Sequence, residues 1–124
     1  MWKLMIRDDD GRTAVVPLKE GEYILGRQSG SRVRLNERNV SREHARLYKA
    51  SGDAKHPFVL EDLKSHNGTL VNGYRIAAPK GIAHGDLIQI GDYRIVLQND
   101  AAGVVAIPTA LPDDTADTFD ASGD

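Results

Sequence analysis

A series of tight-turn residue pairs restricts the fold of this chain more than any other sequence feature. Asparagine or aspartate repeatedly stands next to glycine, a pairing that favours the positive-φ turns of β-hairpins. The pairs include Asp10-Gly11, Asn67-Gly68, Asn72-Gly73, Gly85-Asp86 and Gly91-Asp92. Because these turns separate short apolar segments, the pattern predicts an all-β chain.

Ten short apolar segments lie between the turns. Strands at this spacing predict a β-sandwich or a barrel. Val40, His44 and Leu47 also follow helical spacing, so the residues alone leave a short helix open there. The ten predicted strands are Trp2–Arg7, Thr13–Val16, Glu22–Leu25, Val33–Leu35, His44–Lys49, Phe58–Leu60, Thr69–Val71, Tyr74–Ile76, Leu87–Ile90 and Tyr93–Leu97.

The composition changes near residue 100. All 16 Lys and Arg lie before it with 12 of the acids, which gives residues 1–99 a net charge of +4, whereas six aspartates give residues 100–124 a net charge of −6. The C-terminal segment is rich in Ala, Gly, Pro, Thr and Asp, and a segment of this kind buries too little apolar surface to fold. We expect one domain over residues 1–99 and an acidic, disordered tail over residues 100–124. The apolar residues 104–107 could pack somewhere, but Pro108 and Pro112 stop any extension.

Several functional classes are excluded or disfavoured by what the sequence lacks. The chain has no cysteine, which excludes disulfides and thiolate metal sites. Its four histidines do not have the spacing of a metal site, so we expect no metal and no other cofactor. No apolar run approaches the length of a membrane span, and we expect a cytoplasmic protein.

An enzyme and a nucleic-acid binder are the other classes to weigh. Ser41, His44 and Asp62 suggest a catalytic triad, but the chain has neither a Gly-x-Ser-x-Gly elbow nor a Walker loop. A pI of about 6.1 without an aromatic-rich basic stripe argues against nucleic acid. We therefore expect a non-catalytic protein.

Arginine is concentrated in residues 27–46. Six arginines and two glutamates give this stretch a net charge of +4, equal to that of residues 1–99 as a whole. The guanidinium group is a planar fork of donors that suits phosphate or carboxylate. Together with Ser41 and the Asn-Gly turns, the arginines predict an anion-binding site.

These residues also form an ordered set of short motifs. Gly26-Arg27 precedes Ser41-Arg42-Glu43-His44, and Ser65-His66-Asn67-Gly68-Thr69 and then Asn72-Gly73 follow. In order and spacing, the set resembles the forkhead-associated (FHA) domain family over about residues 2–98. The resemblance implies a β-sandwich of two twisted sheets with about eleven strands, whose loops at one end bind phosphothreonine. It also places His44 at the start of a strand, which argues against the helix.

The resemblance implies two sets of site residues. Arg27 is expected to bind the phosphate, Ser41 to donate its hydroxyl, and Asn67 to hold the peptide main chain. At the position of His66, well-studied members often have Ser or Thr, so a phosphate contact there rests on the imidazole. The residues implied to bind the phosphopeptide are Arg27, Ser41, Arg42 (through its main-chain N–H, with or without its guanidinium), His66, Asn67 and Asn72 (by contact or by support), and those implied to be structural are Gly26, His44, Ser65, Gly68, Thr69 and Gly73.

The implied partners are phosphothreonine-containing proteins, which makes the chain a signalling adaptor. Because the chain has no kinase motif, a Ser/Thr protein kinase is expected to act in trans. Phosphorylation of the tail at Thr109, Thr115 or Thr118 would create a ligand for the chain's own site. One alternative stays open at this stage, namely an interaction module of the same fold that binds its partner independently of phosphate.

Overall fold

Eleven strands form two sheets that pack face to face in the computed structural model, which describes residues 1–19, 21–50, 55–102 and 107. The strands are β1 (Trp2–Arg7), β2 (Thr13–Pro17), β3 (Tyr23–Gly26), β4 (Val33–Arg34), β5 (Ala45–Lys49), β6 (Phe58–Asp62), β7 (Thr69–Val71), β8 (Tyr74–Arg75), β9 (Lys80–Ile82), β10 (Leu87–Ile90) and β11 (Tyr93–Asn99). The six-stranded sheet has the order β2-β1-β11-β10-β7-β8, and the five-stranded sheet has the order β4-β3-β5-β6-β9. This architecture confirms the predicted all-β sandwich.

Each of the ten predicted strands is present, and β9 is the strand that the sequence did not predict. The ambiguous segment is resolved as a strand, because β5 begins at Ala45, directly after His44. Within the described residues, the helical structure is a single 3-10 turn over Asp100–Ala102. No helix in this part of the chain is long and apolar enough to span a membrane.

Alternate residues of the two sheets form the core between them. Leu4, Leu25 and Leu60 are fully buried there. Trp2 of the six-stranded sheet packs edge-on against Phe58 of the five-stranded sheet, with ring centroids 5.5 Å apart. The apolar core thus fixes one sheet on the other and holds the strand ends in place.

The described chain continues past Asn99. The main-chain N–H of Asp100 donates to Met1 O over 2.9 Å, and the Asp100 carboxylate pairs with Lys3 Nζ at 2.9 Å. Residues 103–106 and 108–124, including Thr109, Thr115 and Thr118, lie outside the described residues.

The strand register brings three loops to one end of the sandwich. Leu25 of β3 lies opposite Ala45 of β5, and Ala45 lies opposite Asp62 of β6. The loops 27–32, 35–44 and 63–68 therefore leave the five-stranded sheet on the same side. They contain most of the candidate site residues.

Candidate functional site

Arg27 is held in place at the end of β3 by two main-chain contacts. Its own N–H donates to Ser41 O over 3.0 Å, and its side-chain Nε donates to Val40 O over 3.0 Å. The side chain is exposed, and no described residue accepts a hydrogen bond from its two Nη atoms. The Val40 carbonyl thus orients the guanidinium while its outer edge stays available for an anion.

Gly26 allows the two arginine-bearing loops to approach each other. A Cβ at this position would overlap the carbonyl oxygen of Arg42 and lie 2.8 Å from its carbonyl carbon. The same Arg42 carbonyl accepts a hydrogen bond from Gln28 N over 3.1 Å. Glycine is required at this position by close main-chain contact rather than by a positive φ.

His44 links the Ser41 loop to the Gly68 turn. Its imidazole is fully buried. Nδ1 accepts a hydrogen bond from the main-chain N–H of Ser41 over 3.0 Å, and Nε2 donates to Gly68 O over 2.8 Å. This pattern fits the neutral tautomer that carries its proton on Nε2. Because Nδ1 contacts the Ser41 main chain rather than its hydroxyl, the geometry is not that of a Ser-His nucleophile pair.

Ser41 and Asn67 each keep part of their hydrogen-bonding capacity open. Ser41 Oγ accepts from His66 N over 3.0 Å, which leaves its hydroxyl proton to be donated. Asn67 Nδ2 donates to Asn39 O over 2.8 Å, and in the described part of the chain nothing donates to its Oδ1. Both side chains are therefore oriented by the protein and still able to bind a ligand.

Arg42 and His66 are exposed members of the same loops. No described residue accepts from the main-chain N–H of Arg42, so this donor is open beside Ser41. His66 donates its main-chain N–H to Ser41 Oγ, and its ring is exposed to solvent.

Asn72 is used differently from the other candidate residues. Its Nδ2 donates to Asp86 Oδ1 over 3.1 Å, and its Oδ1 accepts from Leu87 N over 2.9 Å. With φ values of 52° at Asn72 and 88° at Gly73, the pair forms the tight turn between β7 and β8. Both ends of the Asn72 amide are therefore engaged within the protein.

Asp62 organises the loop that carries His66 and Asn67. Its carboxylate accepts hydrogen bonds from the Ser65 hydroxyl, from Ser65 N over 3.1 Å and from Thr69 Oγ1 over 2.7 Å. Ser65 Oγ in turn accepts from Gly68 N over 3.0 Å. Burial raises the pKa of the Asp62 carboxyl, but the hydrogen bonds from Ser65 and Thr69 outweigh burial and hold this pKa below its usual range.

The Asp62 network predicts a loss of stability in acid. A lowered pKa in the folded state stabilises the protein above the unfolded pKa near 3.8, and this contribution disappears as pH falls through the folded pKa. We expect Asp62→Asn to lower the free energy of unfolding at pH 6 by about 1–3 kcal/mol, because a charged acceptor is lost. Urea unfolding at pH 6 and at pH 3 checks this. A gap between the variant and the wild type that stays equally large at pH 3 would contradict it.

The sequence did not identify three contributors to the site. Asn39 and Val40 act through their carbonyl oxygens, which any residue type could supply, so no side-chain signal marks them. Arg75 lies over Gly68, where a Cβ would come within 2.7 Å of its Nε. The signal that could have identified Arg75 is strand register. Arg75 lies opposite Leu70 in the β7–β8 hairpin, which follows the Gly68 turn.

The charges at this end of the sandwich are largely unneutralised. Arg27, Arg34, Arg38 and Arg42 are exposed, and no described carboxylate forms an ion pair with any of the four. Arg46, from the same stretch of sequence, is paired with Glu22 at 2.9 Å and with Glu61 at 2.8 Å. The positive charge of these four arginines thus remains available at this end of the sandwich.

Comparison with known proteins identifies relatives of this chain. The FHA domain family model matches residues 23–91. The FHA domain-containing protein FhaA of Mycobacterium tuberculosis is 34% identical over 90 residues, which are 73% of this chain and 16% of that protein. The FHA domain-containing protein At4g14490 of Arabidopsis thaliana is 31% identical over 72 residues, 56% of this chain and 18% of that protein. The chain thus spans less than a fifth of the length of either curated relative.

Solved structures agree with the family match. The crystal structure of the FhaA FHA domain complexed with the intracellular domain of Rv3910 has a TM-score of 0.65 and 33% identity, covering 79% of this chain and 100% of that one. A structure solved in a study of phosphothreonine-dependent FHA domain interactions has a TM-score of 0.62 and 32% identity. The match covers 78% of this chain and 96% of that one. Because the family model matches more than half of the sequence, this chain belongs to the FHA domain family.

Proposed function

We propose that this FHA domain, an interaction module rather than an enzyme, binds phosphothreonine in partner proteins through Arg27, Ser41, Arg42 and Asn67. One observation carries the proposal. The bond from Arg27 Nε to Val40 O fixes the guanidinium and leaves its Nη edge open, and the hydroxyl of Ser41, the residue after Val40, is oriented and free to donate. A fixed cation beside a free hydroxyl is what a phosphate monoester with about −1.5 to −2 charges requires.

The chemistry divides between the phosphate and the peptide main chain. Arg27 supplies charge-assisted hydrogen bonds, and Ser41 and the N–H of Arg42 supply two further donors. Asn67 presents an amide oxygen, held by its bond to Asn39 O, that accepts from an extended peptide. The exposed ring of His66 adds a donor at the edge of the phosphate site.

Relatives support this assignment. The FHA domain solved in a study of phosphothreonine-dependent FHA domain interactions is 32% identical to this chain. We infer that the chain acts as a signalling adaptor whose partners are phosphorylated by a Ser/Thr kinase acting in trans.

A titration with matched peptides tests the proposed function. Peptides with threonine or phosphothreonine at one position are added to the full chain, and binding is measured by calorimetry. We expect binding of the phosphorylated peptide alone. Equal binding of both peptides would replace the proposal with an interaction module that is independent of phosphate.

Discrimination between phosphothreonine and phosphoserine is a separate prediction. The two ligands differ by one methyl group, and burial of one methyl is worth roughly 0.8 kcal/mol. We expect the phosphoserine peptide to bind about fourfold more weakly, as measured in the same calorimetric titration. A phosphoserine peptide that binds as tightly would show that the methyl group is not buried.

A further inference from the structure

The outer face of the six-stranded sheet carries an apolar row. Side chains alternate along a strand, so the neighbours of core residues point away from the core. Four outward residues lie side by side, since Met5 is opposite both Val15 and Val96, and Val96 is opposite Leu87. Val96 and Leu87 are only 1% and 4% exposed, yet neither belongs to the central core cluster. Their burial indicates that this end of the row is covered on its outer side, whereas Val15 at the other end is 54% exposed.

A basic row runs next to the apolar row on the same face. Arg7 lies directly opposite Arg94, and Arg94 lies opposite Gln89. Like charges in directly opposed positions destabilise a sheet, and no described carboxylate pairs with either arginine. Arg94 Nε and Gln89 Oε1 are also buried without a hydrogen-bond partner. Buried polar groups ordinarily have partners. Arg94 Nε is a donor and calls for an acceptor such as a carboxylate, whereas Gln89 Oε1 is an acceptor and calls for a donor such as a main-chain N–H.

The chain leaves the central strand β11 at the end of this face where Lys3 lies. Lys3 alternates with the core residue Leu4 and therefore points outward, and it pairs with Asp100 at 2.9 Å. The 3-10 turn Asp100–Ala102 follows directly. Ile107, five residues beyond Ala102, is half-buried. The first acidic residue of the C-terminal segment is thus already bound to the outer face.

We propose that residues 103–114 of this chain dock on that face, with the apolar residues 104–107 over the apolar row and Asp113 and Asp114 beside the basic row. The length of the segment matches the face that it would cover. Lys3 and Arg7 are four residue steps apart along β1, about 13 Å at 3.3 Å per step, and residues 103–107 would span about 16 Å when extended. The charges agree as well, because the segment after Asn99 contains six aspartates and no basic residue.

A spin label in the C-terminal segment tests the docking. The chain has no cysteine, so Ala110→Cys gives a single attachment site for a nitroxide. In NMR spectra of the labelled full chain, we expect line broadening at the amides of Met5, Arg94 and Val96. Tyr48 and Val59, on the outer side of the five-stranded sheet, serve as reference positions and are expected to stay sharp. Equal broadening of both sheets, or no broadening, would overturn the proposal.

Two variants in the labelled chain separate the apolar and the charged contributions. Val105→Asp is expected to remove the broadening, and Arg94→Glu to reduce it severalfold. Lys49→Glu, which changes an exposed residue of β5, provides the matched control and is expected to leave the broadening unchanged. An effect of Lys49→Glu as large as that of Arg94→Glu would contradict docking on this face.

Mixing experiments identify the occupant and separate this proposal from the phosphothreonine site. ¹⁵N-enriched protein without a spin label is mixed with spin-labelled protein at natural isotope abundance. We expect no broadening of the ¹⁵N-enriched protein, whereas broadening would assign the face to a second copy of the chain. Arg27→Ala in the labelled chain is expected to leave the broadening intact. Failure of phosphopeptide binding would therefore not affect this result.

Discussion

Replacement of Arg27 by alanine is expected to nearly abolish binding of a phosphothreonine peptide. The loss is about 2–5 kcal/mol, or at least roughly 30-fold in affinity, because the phosphate loses a partner in a partly desolvated ion pair. Arg27 is the cation whose Nε is fixed by Val40 O and whose main-chain N–H binds Ser41 O. Calorimetric titration of the wild type and the variant with one phosphothreonine peptide measures the difference.

Arg46→Ala is the matched control for this prediction. Arg46 belongs to the same arginine-rich stretch, but its guanidinium is paired with Glu22 and Glu61 on the five-stranded sheet. We expect its removal to leave peptide affinity within about twofold, since exposed ion pairs contribute little. Equal affinity of Arg27→Ala and the wild type, with thermal unfolding showing both folded, would disprove the assigned role of Arg27.

The turn pairs and apolar segments predicted most of the fold for a physical reason. Where a strand alternates apolar and polar residues, as in Ala45–Lys49, its pattern and its burial coincide. The strand Lys80–Ile82 was missed because it has one large apolar residue and a glycine. Gly81 lies against His56, where a Cβ would come within 2.8 Å of the His56 Cβ. Pairing with β6 rather than local pattern defines this strand.

The side chains of the candidate site could be predicted from the sequence, whereas the main-chain groups that orient them could not. Arg27, Ser41 and Asn67 follow from residue type and motif. The carbonyl oxygens of Asn39 and Val40, which orient two of those side chains, leave no trace in residue identity. These two carbonyl contacts are seen only in the folded arrangement of the loops.

Gly26→Ala is expected to cause the largest loss of stability of any single substitution considered for this chain, about 3 kcal/mol or more. The added methyl group would overlap the carbonyl oxygen of Arg42 and come within 3.1 Å of Glu43 Cα. These are main-chain atoms, and overpacking against atoms that cannot rotate away is costly. Separation of the loops would also break the hydrogen bond from Gln28 N to Arg42 O. Urea unfolding measures the stability, and phosphopeptide titration measures the accompanying loss of binding.

Gly30→Ala is the control that distinguishes close approach from a general effect of replacing glycine. A Cβ at Gly30 meets no heavy atom within 4 Å, and Gly30 is not among the glycines with positive φ. We expect a change within about 0.5 kcal/mol, with any gain coming from the lower entropy of the unfolded chain. If Gly26→Ala unfolded at the same urea concentration as Gly30→Ala, the main chains at Gly26 and Arg42 would not be in contact. The juxtaposition of Arg27 with Ser41 depends on that contact and would have to be abandoned with it.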